Sequence, residues 1–121
     1  MLLPSLEDMQ NSVSENGDVV LVLSSMDDAD QAASLAHAMV EQGLAACVQV
    51  SAAGVSVYRW QGQVVKGAEF YLSIKTLPEH AAAACAWLTE HHPYETPEIL
   101  VLQGTAALSY RQWMEEVQAR A

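Results

Sequence analysis

The sequence is poor in basic side chains, and this limits the partners that the protein can bind. Its 121 residues include 5 lysines and arginines against 15 aspartates and glutamates, so the formal net charge at pH 7 is −10. Binding to a phosphate backbone or to an anionic membrane surface requires several clustered cations. We therefore expect neither nucleic acid nor a membrane as a partner. The chain length is typical of one globular domain.

Cysteines and long apolar segments are also scarce. Cys47 and Cys85 are the only two cysteines, and their separation excludes the close pairs of a zinc ribbon or a thioredoxin site. No apolar run approaches the ~18 residues that a membrane span needs. The N-terminal segment has neither the basic residue nor the apolar core of a secretion signal. We therefore expect a cytoplasmic protein.

The motifs of several enzyme classes are missing. The sequence has no G-x-S-x-G elbow, no phosphate-binding GxxxxGK[ST] loop and no H-E-x-x-H zinc motif. Acylphosphatase-type chemistry would need an arginine together with an asparagine, but the only asparagines, Asn11 and Asn16, lie near the N-terminus. No pair of nucleophile and base is evident, so we expect a protein that is not an enzyme.

What the sequence does contain is an alternation of strand and helix patterns. Residues 1–17 are polar and acidic and predict a mobile tail, which leaves one domain over 18–121. Apolar runs and alternations predict strands at 19–23, 44–50, 55–60, 69–75 and 99–102, the first of them buried on both faces. Helical spacing predicts a helix that ends at Gly43, a second that begins with a Thr76–Glu79 capping box and ends at His91–His92, and a C-terminal helix. This order predicts an α+β, ferredoxin-like split βαβ fold, βαββαβ plus a terminal helix.

The densest group of polar residues is the segment HHPYETPE at 91–98. Its two prolines stiffen a loop that presents Tyr94 and Glu95 just after a pair of histidines. One interpretation is a helix end with solvated histidines, and the other is a metal or ligand pocket. Adjacent helical residues diverge by about 100°, so His91 and His92 do not easily chelate one ion from one chain.

Two further features have a structural and a functional interpretation. Cys47 lies in a predicted strand, where a free cysteine is most often a small core residue. As a thiolate beside an imidazole, it would be a soft ligand for copper or zinc. Tyr58 and Trp60 add to the aromatic density of the central hairpin, which fits ordinary packing, an oligomer contact or a stacking surface for a planar ligand.

Four segments together resemble the CutA family of divalent-cation tolerance proteins. They are GLAACV at 43–48, VYRWQG at 57–62, LSIKT at 72–76 and HPYETPE at 92–98, and the resemblance spans about residues 18–120. It implies a ferredoxin-like subunit in a tight homotrimer, similar in architecture to the signalling protein PII, with hairpins that extend the sheets of neighbouring subunits. It also implies a non-enzymatic role in tolerance to copper and other divalent metals.

The resemblance further implies a metal site. Carried over by position, the metal-associated residues of the family become Ser24, Cys47 and His92, with His91 adjacent. Serine at position 24 removes one soft ligand, so a copper or zinc shell would need a neighbouring chain or water to complete it. We predict Cys47, His91 and His92 as ligands near a subunit interface. Copper or another divalent metal such as zinc is the expected cofactor, and none is obligatory.

A second hypothesis is a PII-like trimeric sensor or scaffold module that binds a small metabolite in an intersubunit cleft. The family usually has an asparagine and then a Pro-Gly pair after its Cys-Val, where this sequence has Gln49 and Ala52-Ala53, so we expect a different bend in the long second strand. The ligand candidates of this hypothesis are Tyr58, Trp60, Lys75, Tyr94 and Glu95.

Overall fold

The computed structural model describes residues 17–119, which form an antiparallel sheet and three helices. The strands are β1 (Asp18–Met26), β2 (Cys47–Val50), β3 (Gly54–Trp60), β4 (Gln63–Thr76) and β5 (Leu100–Thr105), and the helices are α1 (Ala29–Glu41), α2 (Pro78–His91) and α3 (Leu108–Ala119). The sheet order is β2-β4-β1-β5, with β3 also paired to β4. This is the predicted α+β, ferredoxin-like arrangement. The predicted tail lies outside the described residues except for Gly17, which is buried and accepts a hydrogen bond from the Ala106 amide.

The strand β1 is covered fully on one face only. Val20, Val22 and Met26 are buried in the main core, whereas Leu21 and Leu23 on the opposite face are half-buried. The prediction that this strand is buried on both faces is therefore wrong for a single chain, because the core helices cover one face. The core on that face also includes Leu35, Met39, Leu72, Ile74 and Leu88.

The first helix begins and ends where its local sequence predicts. Asp28 is the N-cap, and its carboxylate accepts the Gln31 amide at 2.9 Å. Gly43 has a φ of 74°, the left-handed conformation that commonly ends a helix. Over residues 17–119, no helix combines the length and the apolar composition that crossing a bilayer requires.

The second helix begins differently from the prediction. Its N-cap is Leu77, which makes no side-chain capping bond, so the predicted Thr76–Glu79 capping box is wrong. Thr76 is the last residue of β4, and its hydroxyl donates instead to the Leu44 carbonyl at 2.7 Å. Gln118 of α3 reaches over and accepts the Leu77 amide at 3.1 Å. A distant side chain thus pairs with the amide of the N-cap residue, and Thr76 caps no amide of this helix.

The strand β4 is 14 residues long and pairs with two strands in succession. Its C-terminal half pairs with β2 and its N-terminal half with β3, so β2 and β3 form one long strand broken at 51–53. Ser51 bridges the break: its amide donates to the Tyr71 carbonyl at 2.9 Å, and its hydroxyl accepts the Tyr71 amide at 2.8 Å. At the far end, Gln61 and Gly62 form a tight turn with φ values of 49° and 80°. The β3–β4 hairpin therefore extends the sheet, and most of its residues are exposed.

Candidate functional site

His92 anchors the loop that follows α2. Its ring is buried, its Nε2 lies 2.8 Å from the Ser25 carbonyl oxygen, and its Nδ1 accepts the Tyr94 amide at 3.1 Å. Because the amide can only donate and the carbonyl can only accept, the ring is the neutral tautomer with its proton on Nε2. Both ring nitrogens are therefore engaged in holding the loop of residues 92–98 against β1.

Tyr94 connects the same loop to the sheet. Its hydroxyl donates to Glu69 Oε1 at 3.0 Å, and Glu69 is itself buried, with 8% of its surface exposed. Burial of the phenol raises the pKa of Tyr94 above its ordinary value, and the hydrogen bond to Glu69 and the charges of Glu69 and Asp27 raise it further. The second carboxylate oxygen, Glu69 Oε2, is buried and has no hydrogen-bond partner among the described residues.

The 92–98 loop and the β3–β4 hairpin enclose a cleft of about 1130 Å³. We call it the acidic cleft, because its described lining includes four carboxylates and no lysine, arginine or histidine. The carboxylates are Asp27, Glu69, Glu95 and Glu98. The structure brings four of the five predicted ligand candidates together here, namely Tyr58, Trp60, Tyr94 and Glu95.

Lys75, the fifth ligand candidate, lies elsewhere. It stands in register with Cys47 on β2, and its Nζ lies 5.9 Å from the centre of the Tyr110 ring of α3. Tyr71, near the cleft end of β4, is four residues away along the strand, which corresponds to ~13 Å. Lys75 therefore contributes a cation–π contact with α3 and does not line the acidic cleft.

The predicted metal ligands are separated within one chain. Cys47 is a half-buried free thiol at the start of β2, in the row of Lys75. Ser25, whose carbonyl binds His92, is in the row of Tyr71 at the other end of this part of the sheet. The offset of four residues again corresponds to ~13 Å along the strands. One chain therefore does not bring Cys47 and His92 together.

Ser24 and Cys47 lie on opposite faces of the sheet. Ser24 pairs with Leu72, on the face that the helices cover, and it is buried with its hydroxyl oxygen unpaired among the described residues. Cys47 pairs with Lys75, whose side chain alternates to the other face. The two positions that the resemblance associates with metal therefore share no pocket within this chain.

His91 points away from its neighbour. Its ring is exposed and stacks on Trp87, with ring centres 4.1 Å apart, and its Nδ1 lies 2.8 Å from the Trp87 carbonyl oxygen. Nδ1 donates to that carbonyl, so Nε2 is the nitrogen that can offer a lone pair to a ligand. His91 and His92 thus face different surroundings. Within residues 17–119, no three histidine, cysteine, aspartate or glutamate side chains gather closely enough to hold a metal ion.

The comparisons with known proteins give the family. Residues 20–117 match the family described as CutA1 divalent ion tolerance protein. The chain belongs to the CutA family. The divalent-cation tolerance protein CutA of Yersinia pestis is 36% identical over 92 residues, 76% of each chain. The structure of CutA from Synechococcus elongatus is 39% identical, covers 86% of this chain and 93% of that chain, and has a TM-score of 0.81. A second structure of CutA from that organism, complexed with a Bis-Tris molecule, is 38% identical, covers 85% of this chain and 96% of that chain, and has a TM-score of 0.77.

One residue of the candidate site was missed by sequence reasoning. In the sequence, Glu69 is the polar first residue of a predicted alternating strand. Its partner in the fold, Tyr94, is 25 residues later in the chain. The only local signal is a single carboxylate within a strand whose facing partner, Gly54, has no side chain. That signal does not indicate which loop covers the carboxylate.

Proposed function

We propose that the protein acts in divalent-cation tolerance as a non-enzymatic cytoplasmic homotrimer that binds copper or another divalent metal such as zinc. The match of residues 20–117 to the CutA family carries this proposal. The metal is bound as cargo or signal, since residues 17–119 of a single chain offer too few neighbouring ligands to form a closed structural site.

Exposed apolar residues on β5 support assembly with further copies. Leu100, Val101 and Leu102 are 56%, 51% and 48% exposed, on a strand at the edge of the sheet. An edge strand with exposed apolar side chains favours pairing with another chain. The β3–β4 hairpin adds Val55 and Trp60, which are 68% and 63% exposed. Contacts of hairpins with the edges of neighbouring subunits would bury both surfaces.

Cys47 is the soft ligand in this proposal. It is half-buried on the outer strand β2, on the face away from α1 and α2, so a neighbouring subunit that pairs with this edge would come close to its thiol. His91 offers Nε2 at the end of α2. His92 could ligate a metal only after giving up one of its two backbone hydrogen bonds. A site assembled between subunits therefore accounts best for the separation of these residues within one chain.

A copper titration of the reduced protein tests the assignment, with Cys47→Ala as the test variant and Cys85→Ala as the matched control. Cys85 is also a free, partly buried cysteine, but it lies on α2, and burial raises the pKa of its thiol. We expect Cys47→Ala to weaken copper binding at least tenfold and Cys85→Ala to leave it within about twofold, because loss of a thiolate ligand is costly for a soft metal. Equal affinities in all three proteins would overturn the assignment.

The hydrogen bonds of His92 and Tyr94 fit a structural role for these two residues, in keeping with a non-enzymatic protein. The buried ring of His92 uses both nitrogens for backbone hydrogen bonds, so it has no free position for proton transfer. The Tyr94 hydroxyl already donates to Glu69. These groups hold the loop in place and leave the cleft as a binding surface.

The second candidate function is a PII-like trimeric sensor or scaffold module with a small metabolite in an intersubunit cleft. The acidic cleft favours it, because the hairpin and the 92–98 loop bring Tyr58, Trp60, Tyr94 and Glu95 to one cavity. A relative that is 38% identical has been solved complexed with a Bis-Tris molecule. A metabolite that binds the folded state will raise the melting temperature by mass action. A panel that never shifts it, with copper binding intact, would contradict this candidate.

A further inference from the structure

One carboxylate oxygen in the acidic cleft is buried without a partner. Glu69 is 8% exposed, and only its Oε1 is paired, to the Tyr94 hydroxyl at 3.0 Å. Glu69 Oε2 has no hydrogen-bond donor among the described residues. A buried, unpaired carboxylate oxygen is energetically costly. An occupant of the cleft that donates an N–H would satisfy it.

The residues around Glu69 favour an occupant with a positive charge. Asp27, Glu95 and Glu98 line the same cavity, and its described lining has no cationic side chain. Tyr94 is already committed as a donor to the other oxygen of Glu69. A cleft walled by carboxylates concentrates cations and repels anions.

The aromatic residues of the cleft share the face of Glu69 but lie farther out along the hairpin. Glu69 is in register with Gly54, and Tyr58 and Trp60 follow Gly54 by four and six residues on the same strand. Because side chains alternate, both aromatic residues share the face of Glu69. At ~13 and ~20 Å along the strand from the row of Glu69, these rings attract cations to the outer part of the cleft and do not contact an ammonium group at Glu69.

We propose that the acidic cleft binds a protonated aliphatic amine, with Glu69 Oε2 accepting an N–H of its ammonium group. The outer carboxylates Glu95 and Glu98 stabilise a second positive charge, so a diamine fits better than a monoamine. A quaternary ammonium group lacks the N–H that Glu69 needs. This inference rests on the second candidate function above and names the ligand class for it.

Isothermal titration of the full-length protein in its native assembly tests this with three four-carbon compounds that differ in charge. They are putrescine with two ammonium groups, 1,4-butanediol with none and succinate with two carboxylates. We expect putrescine alone to bind, and its affinity to fall as salt is raised. Glu69→Gln should weaken putrescine binding about tenfold, the usual scale for loss of a charged hydrogen bond.

Two more variants separate Glu69 from general charge effects. Glu90→Gln removes the same charge at an exposed position of α2 outside the cleft, and putrescine affinity should stay within twofold. Glu95→Gln acts at an exposed position of the cleft and should weaken binding about threefold even if Glu69→Gln folds poorly.

Four results would overturn the proposal, and they are distinguishable. Binding of butanediol or succinate without putrescine would refute the amine and leave the cleft as a ligand site. No binding by any of the three would contradict the amine site. Equal putrescine affinity in the native protein, Glu69→Gln and Glu95→Gln would place the amine elsewhere. No putrescine binding, together with a smaller assembly in Glu69→Gln, would show that a cationic side chain of a second copy pairs with Glu69.

Discussion

His92 and His91 are adjacent, yet they have different roles. His92 is buried and joins the end of α2 to the end of β1 through the Ser25 carbonyl and the Tyr94 amide. His91 is exposed and stacked on Trp87. The interpretation of both as solvated histidines at a helix end therefore holds for His91 only. The position of the 92–98 loop, and with it the acidic cleft, depends on the ring of His92.

His92→Ala should destabilise the protein in metal-free buffer. The substitution leaves the Ser25 carbonyl and the Tyr94 amide without their partners and creates a cavity, so we expect a loss of ~2–4 kcal/mol in the free energy of unfolding. Urea denaturation measures this loss. His91→Ala is the control, and it should lower the free energy of unfolding by less than ~1 kcal/mol. Equal stability of the two variants would show that these hydrogen bonds do not hold the loop. Because of this effect on the fold, metal binding is tested more cleanly at Cys47.

The Tyr94–Glu69 pair predicts a dependence of stability on alkaline pH. The pKa of Tyr94 is raised in the folded protein, first by burial and then by Glu69, so the folded chain retains a proton that the unfolded chain releases near pH ~10. The resulting stability is complete below that pH and is lost as pH rises above it. Denaturation at a series of pH values should show a steeper loss in the native protein than in Tyr94→Phe. Parallel curves would contradict the coupling.

At the scale of elements, the break between β2 and β3 depends on a glycine. A Cβ at Gly54 would overlap the Tyr71 ring, whose hydroxyl lies 3.3 Å from the Ser56 hydroxyl. Gly67, on β4, has room, since the nearest atom to a Cβ there is the Tyr58 hydroxyl at 3.8 Å. The ring of Tyr71 therefore packs over Gly54 beside the Ser51 bridge.

Gly54→Ala should lower the free energy of unfolding by ~1–2 kcal/mol, because Tyr71 must turn away from Ser56. Gly67→Ala is the control and should change it by less than ~0.5 kcal/mol. In a Tyr71→Ala background the effect of Gly54→Ala should largely vanish, since the pair no longer collides. An undiminished effect in that background would mean that the strain lies in the backbone.

The sequence predicted best those helix and strand boundaries that depend on residues close together in the chain. Asp28 caps α1 by accepting the amide of Gln31, only three positions away, so the local sequence is enough to predict this helix start. Thr76 has partners 32 and 42 residues distant, Leu44 and Gln118, and no local pattern reveals that they displace a capping box. The strand β4 begins at Gln63, earlier than the alternation at 69–75 indicated, because a two-residue turn continues its pairing with β3.

The same distinction applies to the candidate site. Tyr94 and Glu95 were predicted from one short segment, and the hairpin aromatics from another, and the fold brings them together. Lys75 belongs to the same strand as Glu69 but lies at its other end, where it meets Tyr110. Which end of a strand faces a loop is a property of the topology, and composition does not determine it. The expected difference in the bend at 51–53 from other CutA proteins stays a prediction.

At the scale of the whole molecule, one chain leaves an apolar strip uncovered. Leu21 and Leu23 of β1 are half-buried, and they pair with Leu102 and Leu100 of the edge strand β5 on the same face. Together with the exposed hairpin, this surface suits contact with other copies. The acidic excess of 15 against 5 does not prevent such contact, since four of the carboxylates line the cleft and not the apolar strip.

Leu102→Lys should therefore weaken the proposed homotrimer. A lysine in the middle of β5 would place a charge within the apolar strip, and we expect a smaller mass by light scattering at micromolar concentration. Val40→Lys is the control, because Val40 is also exposed, at 42%, but lies on α1 away from the strip. It should leave the mass unchanged. A mass unaffected by Leu102→Lys would exclude β5 from the interface.

Native mass spectrometry of the protein titrated with copper tests the central proposal most directly, because it reports subunit number and bound metal together. The account predicts an assembly of three chains of 13.1 kDa each, with copper adducts that are lost in Cys47→Ala and retained in Cys85→Ala. A single-chain mass, or copper adducts that persist unchanged without Cys47, would contradict it.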